Sequence, residues 1–317
     1  MKTHLYRRGL PLAACLLIAL SLPACKTGQG TTGRSAPAYA RAAEHFRHFA
    51  DADELAAYLR HGSDAGPLIS AHRGGPTPGF PENCIETFDR VLRLAPALLE
   101  VDVRMTSDSI LVLMHDETLG RTSTGEGRVA ERTLDDIRSE LLRDPSGIIT
   151  PFRVPTLAEV LAWSRARAIL TLDVKPGLPA DLVIEEIRRH NAENRAVVIV
   201  YSIPDLMAFA RRAPDLIYSV PAESEDEISA ILDTGVAPAQ LIVWMGVGEV
   251  RPDVIRRAHA LGIRVMMGTF GEIDDRAVTA GPTVYENLLQ AGVDVIATDR
   301  VADAAEAVAN VSAFSDG

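Results

Sequence analysis

The sequence predicts an α/β chain folded as a (β/α)₈ TIM-type barrel with a short hairpin insertion after its second strand. Three observations carry this prediction. Nine apolar runs of strand length, at 68–71, 98–103, 110–114, 169–174, 197–201, 216–220, 241–244, 263–267 and 294–297, follow one another with helical patterns between most of them. One junction, of six residues between Val103 and Ile110, is too short for a helical crossover. Several of the apolar runs end in charge, although burying unpaired charge is costly.

Taken from the N-terminus, residues 1–24 have the layout of an export signal. Lys2, Arg7 and Arg8 form a positive region, and an apolar stretch from Leu10 to Leu22 follows. That stretch is short for a membrane span of about 20 residues. It ends in Leu22-Pro23-Ala24-Cys25, which resembles a bacterial lipobox and implies cleavage before Cys25 and lipid attachment to its sulfur. Ordinary cleavage with an incidental cysteine is the alternative. Residues 25–40 are rich in Gly, Ser and Thr without apolar period and read as a flexible tether. The expectation is therefore an exported protein, lipid-anchored to the cell envelope, with its folded domain over 41–317.

Residues 40–61 read as a helix through Phe46, Phe49, Leu55 and Leu59. After the first strand, Ile85, Phe88, Leu92 and Ala95 recur at helical spacing and predict a helix over 86–94. The stretch 253–261 repeats the pattern and is closed by Gly262 at the C-terminal cap. The short junction holds Thr106-Ser107-Asp108-Ser109, which is turn chemistry, so runs 98–103 and 110–114 form an antiparallel hairpin. Removing the returning arm leaves eight βα units, the number that closes a barrel. A doubly wound open sheet gives no reason for eight similar units, and no Gly-rich dinucleotide fingerprint follows any strand. A turn centred between Ser107 and Asp108 puts Glu100 opposite His115 and Asp102 opposite Leu113.

The composition sets bounds on function. The apolar fraction of 47% over 317 residues supports a sizeable core. A net charge of −11 argues against a nucleic-acid partner but leaves room for an anionic small molecule in a locally basic cleft. Of the three cysteines, only Cys84 lies in the folded body, so no disulfide framework is expected.

In a (β/α)₈ barrel the chemistry sits at the C-terminal strand ends. Those ends read His72-Arg73-Gly74-Gly75, Glu100-Val101-Asp102, His115-Asp116, Asp173-Val174-Lys175 and Thr298-Asp299-Arg300. Glu100 and Asp102 are two apart and share one side of their strand. Two carboxylates side by side repel, and oxygen donors without thiolates favour a hard ion, Mg²⁺ or Ca²⁺. Asp173 is the candidate third ligand. An isolated pair of this kind is commonly just a surface pair neutralised by arginines; here Asp173, His72 and His115 fall in register with it. His72 and His115 suit paired acid and base work. Arg73 can fork onto phosphate oxygens and Lys175 can add a point charge, while Gly74 and Gly75 permit close backbone approach. His45, His48, His61, His190 and His259 sit at no strand end and read as structural.

These residues resemble the glycerophosphodiester phosphodiesterase family. The resemblance rests on His72-Arg73-Gly74, Pro81-Glu82-Asn83 leading into Glu86-Thr87-Phe88, Glu100-x-Asp102-Val103 and His115-Asp116. It continues through Thr118-Leu119, the run Arg121 to Gly125, Pro155-Thr156-Leu157, and Gly292 to Asp299, spanning about 67–303. It implies a divalent cation on Glu100, Asp102 and the carboxylate at Asp173, with Glu82 joining or buttressing that site. It implies His72 and His115 as the acid/base pair and Arg73 as a phosphate ligand. The implied reaction is hydrolysis of a glycerophosphodiester to sn-glycerol 3-phosphate and an alcohol, with attack by the neighbouring glycerol hydroxyl. The implied partners are that small molecule and a membrane met through the lipid anchor only, with no obligate protein partner. An enzyme cleaving intact or lyso-phospholipids, and a binding lipoprotein without turnover, are the alternatives. Three departures stand out: Asp173 replaces the usual glutamate, Cys84 follows the Pro-Glu-Asn run, and Met267-Gly268-Thr269-Phe270 stands where the family has Trp-Thr.

Overall fold

The structure, a computed structural model, describes residues 46–315. The expected leader, the tether, Cys25 and His45 lie outside the described residues. In chain order the elements are α1 (Ala52–Tyr58), β1 (Leu68–Ala71), α2 (Ile85–Leu94), β2 (Leu98–Met105), β3 (Leu111–Leu113), α3 (Leu134–Arg138), α4 (Leu157–Trp163), β4 (Ile169–Val174), α5 (Ala180–Arg189), β5 (Ala196–Ile199), α6 (Ile203–Ala210), β6 (Ile217–Pro221), α7 (Glu225–Leu232), β7 (Leu241–Val247), α8 (Pro252–Ala260), β8 (Arg264–Gly268), α9 (Glu272–Ala280), α10 (Thr283–Gln290), β9 (Val295–Thr298) and α11 (Val301–Ser315).

The strands run β1-β9-β8-β7-β6-β5-β4-β2-β3, and β1 also pairs with β2, which closes the barrel. All pairs in the closed ring are parallel, and β3 alone is antiparallel, to β2. Strand β2 reaches past its β1 partner: β1 pairs with Leu98 and Leu99, while β3 pairs with 103–105. The returning arm is therefore an appendage to an eight-stranded ring.

The hairpin register differs from the expected one by a single residue. Val103 faces Leu113 and Arg104 faces Val112, so Asp102 meets Met114 through the Met114 N–H to Asp102 carbonyl bond of 2.9 Å, and His115 does not face Glu100. The cause is the turn. Thr106 N–H bonds the Ile110 carbonyl at 2.9 Å, and Ser109 takes a left-handed φ of 64°, which makes a three-residue loop rather than a two-residue one.

Two apolar layers hold the ring. Inside it, Leu98, Ile169, Val197, Ile217, Ile242 and Val295 pack with Phe49, Leu55 and Leu59, which plug the end opposite the site. Outside it, Phe88 and Val91 of α2, Leu157 and Leu161 of α4 and Val183 and Ile187 of α5 join one continuous core. Each such side chain, fully buried, contributes about 1.5–3 kcal/mol. The plug is shorter than the helix expected over 40–61. Asp51 accepts from the Glu54 N–H at 3.0 Å and starts the helix at Ala52, leaving 46–50 without regular structure. Other helix signals match: Thr156 and Glu159 form a capping box at α4, and Gly262, with φ 74°, follows α8.

The excursion between β2 and α4 is larger than a short hairpin. It carries β3 and α3 and builds a satellite core from Val112, Met114, Leu119, Val129, Ile137, Leu142 and Val154 around Cys84. Among the described residues, no helix is long and apolar enough to cross a membrane.

Candidate active site

The C-terminal strand ends surround a cavity of about 290 Å³ whose lining includes His72, Glu100, Asp102, His115 and Asp173. The first wall is the turn after β1. His72–Gly74 forms a tight turn in which Arg73 adopts φ 49° and Gly74 and Gly75 have φ of 78° and 74°. The glycines answer to packing. A Cβ on Gly74 would lie 2.1 Å from Cε1 of Phe88, and one on Gly75 2.8 Å from Cγ2 of Val91. The turn is thus pressed onto α2, and the Arg73 N–H is aimed at the Glu100 Oε2, 2.6 Å away.

Strand β2 supplies Glu100 and Asp102 on its inner face, and the parallel register sets Asp173 of β4 directly beside Asp102. Lys175 Nζ lies 2.6 Å from Asp102 Oδ1 and 2.5 Å from Asp173 Oδ2. The ammonium expected to meet phosphate is here gripped by two carboxylates. Asn83, held at a left-handed φ of 55°, clamps Asp102: its Nδ2 donates to Oδ2 at 2.7 Å, and its Oδ1 accepts from the Asp102 N–H at 2.9 Å. The Tyr201 hydroxyl donates to Asp173 Oδ1 at 2.5 Å.

Electrostatics at this mouth are one-sided. Burial first, then the charges of Asp102 and Asp173, push the Glu100 carboxyl well above its usual range. Burial also works against ionisation of Asp102, but the Lys175 charge and hydrogen bonds from Lys175 and Asn83 outweigh it and hold that carboxyl low. One oxygen from each of Glu100, Asp102 and Asp173 lies within 4.8 Å of the others. Three carboxyl groups share one ammonium, and an all-oxygen donor set of this kind suits a hard divalent cation.

The two histidines follow the two strands on one edge of β2, His72 after β1 and His115 after β3. Nδ1 of His72 lies 2.8 Å from Asp299 Oδ1, and Nδ1 of His115 lies 2.8 Å from Asp116 Oδ1. The His72 ring stacks on Phe270 with centroids 4.2 Å apart, and Trp244 of β7 lies parallel to Phe270 at 6.3 Å. An aromatic wall therefore exists despite the altered run at 267–270. Arg104 fixes the backbone at His115, donating from Nε and Nη2 to its carbonyl at 2.9 and 2.7 Å.

Glu82 stands one step back from the carboxylate set. It accepts from Arg73 Nη1 at 3.1 Å and from Arg121 Nη1 and Nη2 at 2.9 and 2.8 Å. Arg121 in turn donates from Nε to Asp116 Oδ2 at 2.6 Å. A chain of alternating charge thus links Arg73 to His115. Cys84 is buried, and burial, then the Glu86 charge, push its thiol up, consistent with a packing residue and not a nucleophile. His61 and His259 stack at 3.4 Å and share Asp294, away from the cavity lining.

The expected residues His72, Arg73, Glu100, Asp102, His115, Asp173 and Lys175 converge. Sequence reasoning assigned no role to Asn83, Arg121, Tyr201, Trp244, Phe270 or Asp299. Asn83, Arg121 and Asp299 lay inside quoted motifs and were within reach; Tyr201 and Trp244 end ordinary apolar runs and carried no signal.

A closed barrel with a carboxylate set, two anchored histidines and an arginine at its mouth defines a hydrolase of the phosphodiesterase class. The chain belongs to the glycerophosphoryl diester phosphodiesterase family, whose model matches residues 72–303. It is similar to a glycerophosphodiester phosphodiesterase of Caldanaerobacter subterraneus, 28% identical over 251 residues that cover 73% of this chain and 93% of that one. The crystal structure of a glycerophosphoryl diester phosphodiesterase from Parabacteroides distasonis superposes with a TM-score of 0.77 at 31% identity, covering 84% of this chain and 94% of that one. A phosphodiesterase of Oleispira antarctica, solved in complex with the product sn-glycerol-3-phosphate, shares the fold at 18% identity, with a TM-score of 0.63 and coverage of 78% and 98%.

Proposed function

We propose that this chain hydrolyses glycerophosphodiesters to sn-glycerol 3-phosphate and an alcohol, using His72 and His115 as acid and base and a divalent cation, Mg²⁺ or Ca²⁺, on Glu100, Asp102 and Asp173. The observation that carries the reading is the pair of histidines, each anchored through Nδ1 by its own carboxylate, lining one cavity with the β2 carboxylates. An imidazole that gives its Nδ1 hydrogen to a carboxylate keeps Nε2 for exchanging a proton with substrate. A cation bound at the carboxylate set supplies neutralisation of the phosphate charge and polarisation of a bound hydroxyl.

The chain's own groups then have separate tasks. Arg73 orients a non-bridging phosphate oxygen, its guanidinium steadied by Glu82. One histidine takes the proton of the attacking hydroxyl as its oxygen bonds to phosphorus. The other gives a proton to the oxygen of the departing alcohol as its bond to phosphorus breaks, and the cyclic glycerol phosphate left behind is then opened by water, which bonds to phosphorus as the ring oxygen departs with a proton, the two histidines exchanging roles. Asp299 and Asp116 hold the two imidazole rings in place through Nδ1. Lys175 holds Asp102 and Asp173 together and adds positive charge beside them.

His72→Ala and His115→Ala are each expected to lower kcat on glycerophosphocholine by roughly 10²–10⁴-fold, with unfolding midpoints close to that of the parent. Stopped assays for released choline check this. Turnover within a few-fold of the parent in either variant contradicts the assignment.

A further inference from the structure

The strand starts, at the end of the barrel opposite the mouth, hold a second cluster of ligating side chains. His61 lies between α1 and β1, His259 on α8, and Asp294 immediately before β9. Nδ1 of His61 is 2.7 Å from Asp294 Oδ1, and Nε2 of His259 is 2.8 Å from Asp294 Oδ2. The two imidazoles are stacked, with centroids 3.4 Å apart and planes inclined by 11°. One nitrogen from each ring and one carboxylate oxygen therefore lie within 4.8 Å of one another. None of the three residues lines the catalytic cavity.

The backbone fixes each donor. The His61 N–H donates to the Gly262 carbonyl at 3.0 Å, just past α8. Asp294 is held on both sides: its N–H donates to the Val265 carbonyl at 3.0 Å, and its carbonyl accepts from the Leu68 N–H at 2.8 Å. Asp294 Oδ2 also accepts from the Val265 N–H at 2.8 Å. Three segments distant in sequence thus converge where the first and last strands pair, and the unfolded chain has no such site.

One histidine on Asp294 would suffice as a structural hydrogen bond. Two that aim a nitrogen at the same carboxylate make the donor set of a three-ligand transition-metal site, with solvent completing the shell. The rings are 32% and 21% exposed, which gives that solvent access. Imidazole donors suit Zn²⁺, whereas the all-oxygen set at the mouth suits Mg²⁺ or Ca²⁺. Zn²⁺ bound at about 2.0–2.1 Å spaces tetrahedral donors about 3.3 Å apart, so the two contacts widen by about half an ångström as the rings turn. Each nitrogen that takes the ion gives up its hydrogen, and solvent returns one to the other nitrogen of the same ring, so each imidazole stays neutral. Buried Arg264 interacts electrostatically with Asp294, but its Nη1 and Nη2 donate to the Gly66 carbonyl and Ser63 Oγ at 2.7 and 3.0 Å. Its charge lowers the affinity for any cation here below that of a closed four-ligand site.

We propose that His61, His259 and Asp294 form a second metal site, selective for Zn²⁺, that staples the segment after the plug helix to α8 and to the start of β9. The ion joins residues 61, 259 and 294 and so fastens the β1–β9 seam that closes the ring. This site is independent of the phosphodiesterase reading.

The test is calorimetric titration of Zn²⁺ into the protein in excess Mg²⁺, paired with urea unfolding at rising Zn²⁺. His61→Asn and His259→Gln are the variants, because each keeps an N–H donor for Asp294 while losing the imidazole. The parent should bind one Zn²⁺ that both variants lose. Removing even an outer-shell partner costs about 10–100-fold in metal affinity, so each variant should bind at least about tenfold more weakly. Zn²⁺ should raise the unfolding midpoint of the parent, because it binds the folded chain, and should leave those of the variants unmoved. No Zn²⁺ binding by the parent overturns the proposal. So does binding of equal strength in the two variants, which would place the ion on the carboxylates of the mouth, and so does an unfolding midpoint in the parent that Zn²⁺ does not raise.

Discussion

Asp116 touches both His115 and Arg121, and its ionisation decides what each can do. The hydrogen bond from Arg121, helped by those from His115 and opposed by partial burial, holds the Asp116 carboxyl far below the usual range. Asp116 is therefore anionic at neutral pH, 2.8 Å from Nδ1 of His115. A carboxyl whose folded pKa is depressed contributes stability that is fully present above its unfolded value, about 3.9, and that is lost as pH falls through the lower folded value. Arg121→Ala should thus lower the urea midpoint at pH 7 by the equivalent of at most about 1 kcal/mol, since the arginine is half exposed. The gap to the parent should narrow as pH drops below about 4. A gap that widens toward acid would assign the stabilisation to other groups. At this scale much of the site was legible. Glu100, Asp102, His72 and His115 announced themselves because charge at the end of an apolar strand is costly to bury unless a partner or a ligand meets it. Arg121 did not, because an arginine in a polar run reads as an ordinary surface residue until Glu82 and Asp116 are seen on either side of it.

The turn after β1 and the hairpin after β2 carry the site's geometry between them. At Gly74 the left-handed φ of 78°, with the Phe88 ring 2.1 Å from where a Cβ would stand, leaves no room for a side chain. Gly74→Ala should cost roughly 2–4 kcal/mol by urea denaturation, combining backbone strain with a displaced aromatic. It should also reduce turnover, because His72 and the Arg73 N–H share the turn. Gly79 has the same sign of φ, 82°, but open space around it, so Gly79→Ala should cost only about 1 kcal/mol. Similar losses at both positions would show that the Phe88 contact contributes nothing. The hairpin shows what pattern reading cannot resolve. Both the two-residue and the three-residue turn satisfy Thr106-Ser107-Asp108-Ser109, and the choice depends on Ser109 accepting a positive φ. That one residue moves every cross-strand pair. The convergence of His115 on the carboxylates survived the slip because the chain beyond β3 is steered by Arg104 and Asp116, not by pairing opposite Glu100.

The molecule as a whole is a ring in which eight similar units each bring one strand end to a common mouth. Its architecture was legible because apolar runs and crossovers alternate with a period that only closure accounts for, and because one junction was too short to obey it. The excursion between β2 and α4 was not legible: its core is assembled from single apolar residues such as Leu119, Ile137 and Leu142, spaced without period and separated by turns. The plug at the far end was read too long, because apolar spacing continues through Phe46 and Phe49 while the Asp51 cap starts the helix later. Closure also accounts for Asp173, shorter than its family counterpart, still joining Glu100 and Asp102: in-register β2–β4 pairing brings its backbone alongside, and Tyr201 and Lys175 fix its two oxygens. The central claim is that this mouth is a cation-dependent glycerophosphodiesterase. The most direct measurement is release of sn-glycerol 3-phosphate from glycerophosphocholine with Mg²⁺ or Ca²⁺ present, after EDTA, and after the cation is restored. The account predicts equimolar sn-glycerol 3-phosphate and choline, loss of turnover in EDTA, and recovery on adding excess cation. Undiminished turnover in EDTA, or phosphocholine and glycerol as the products, would contradict it.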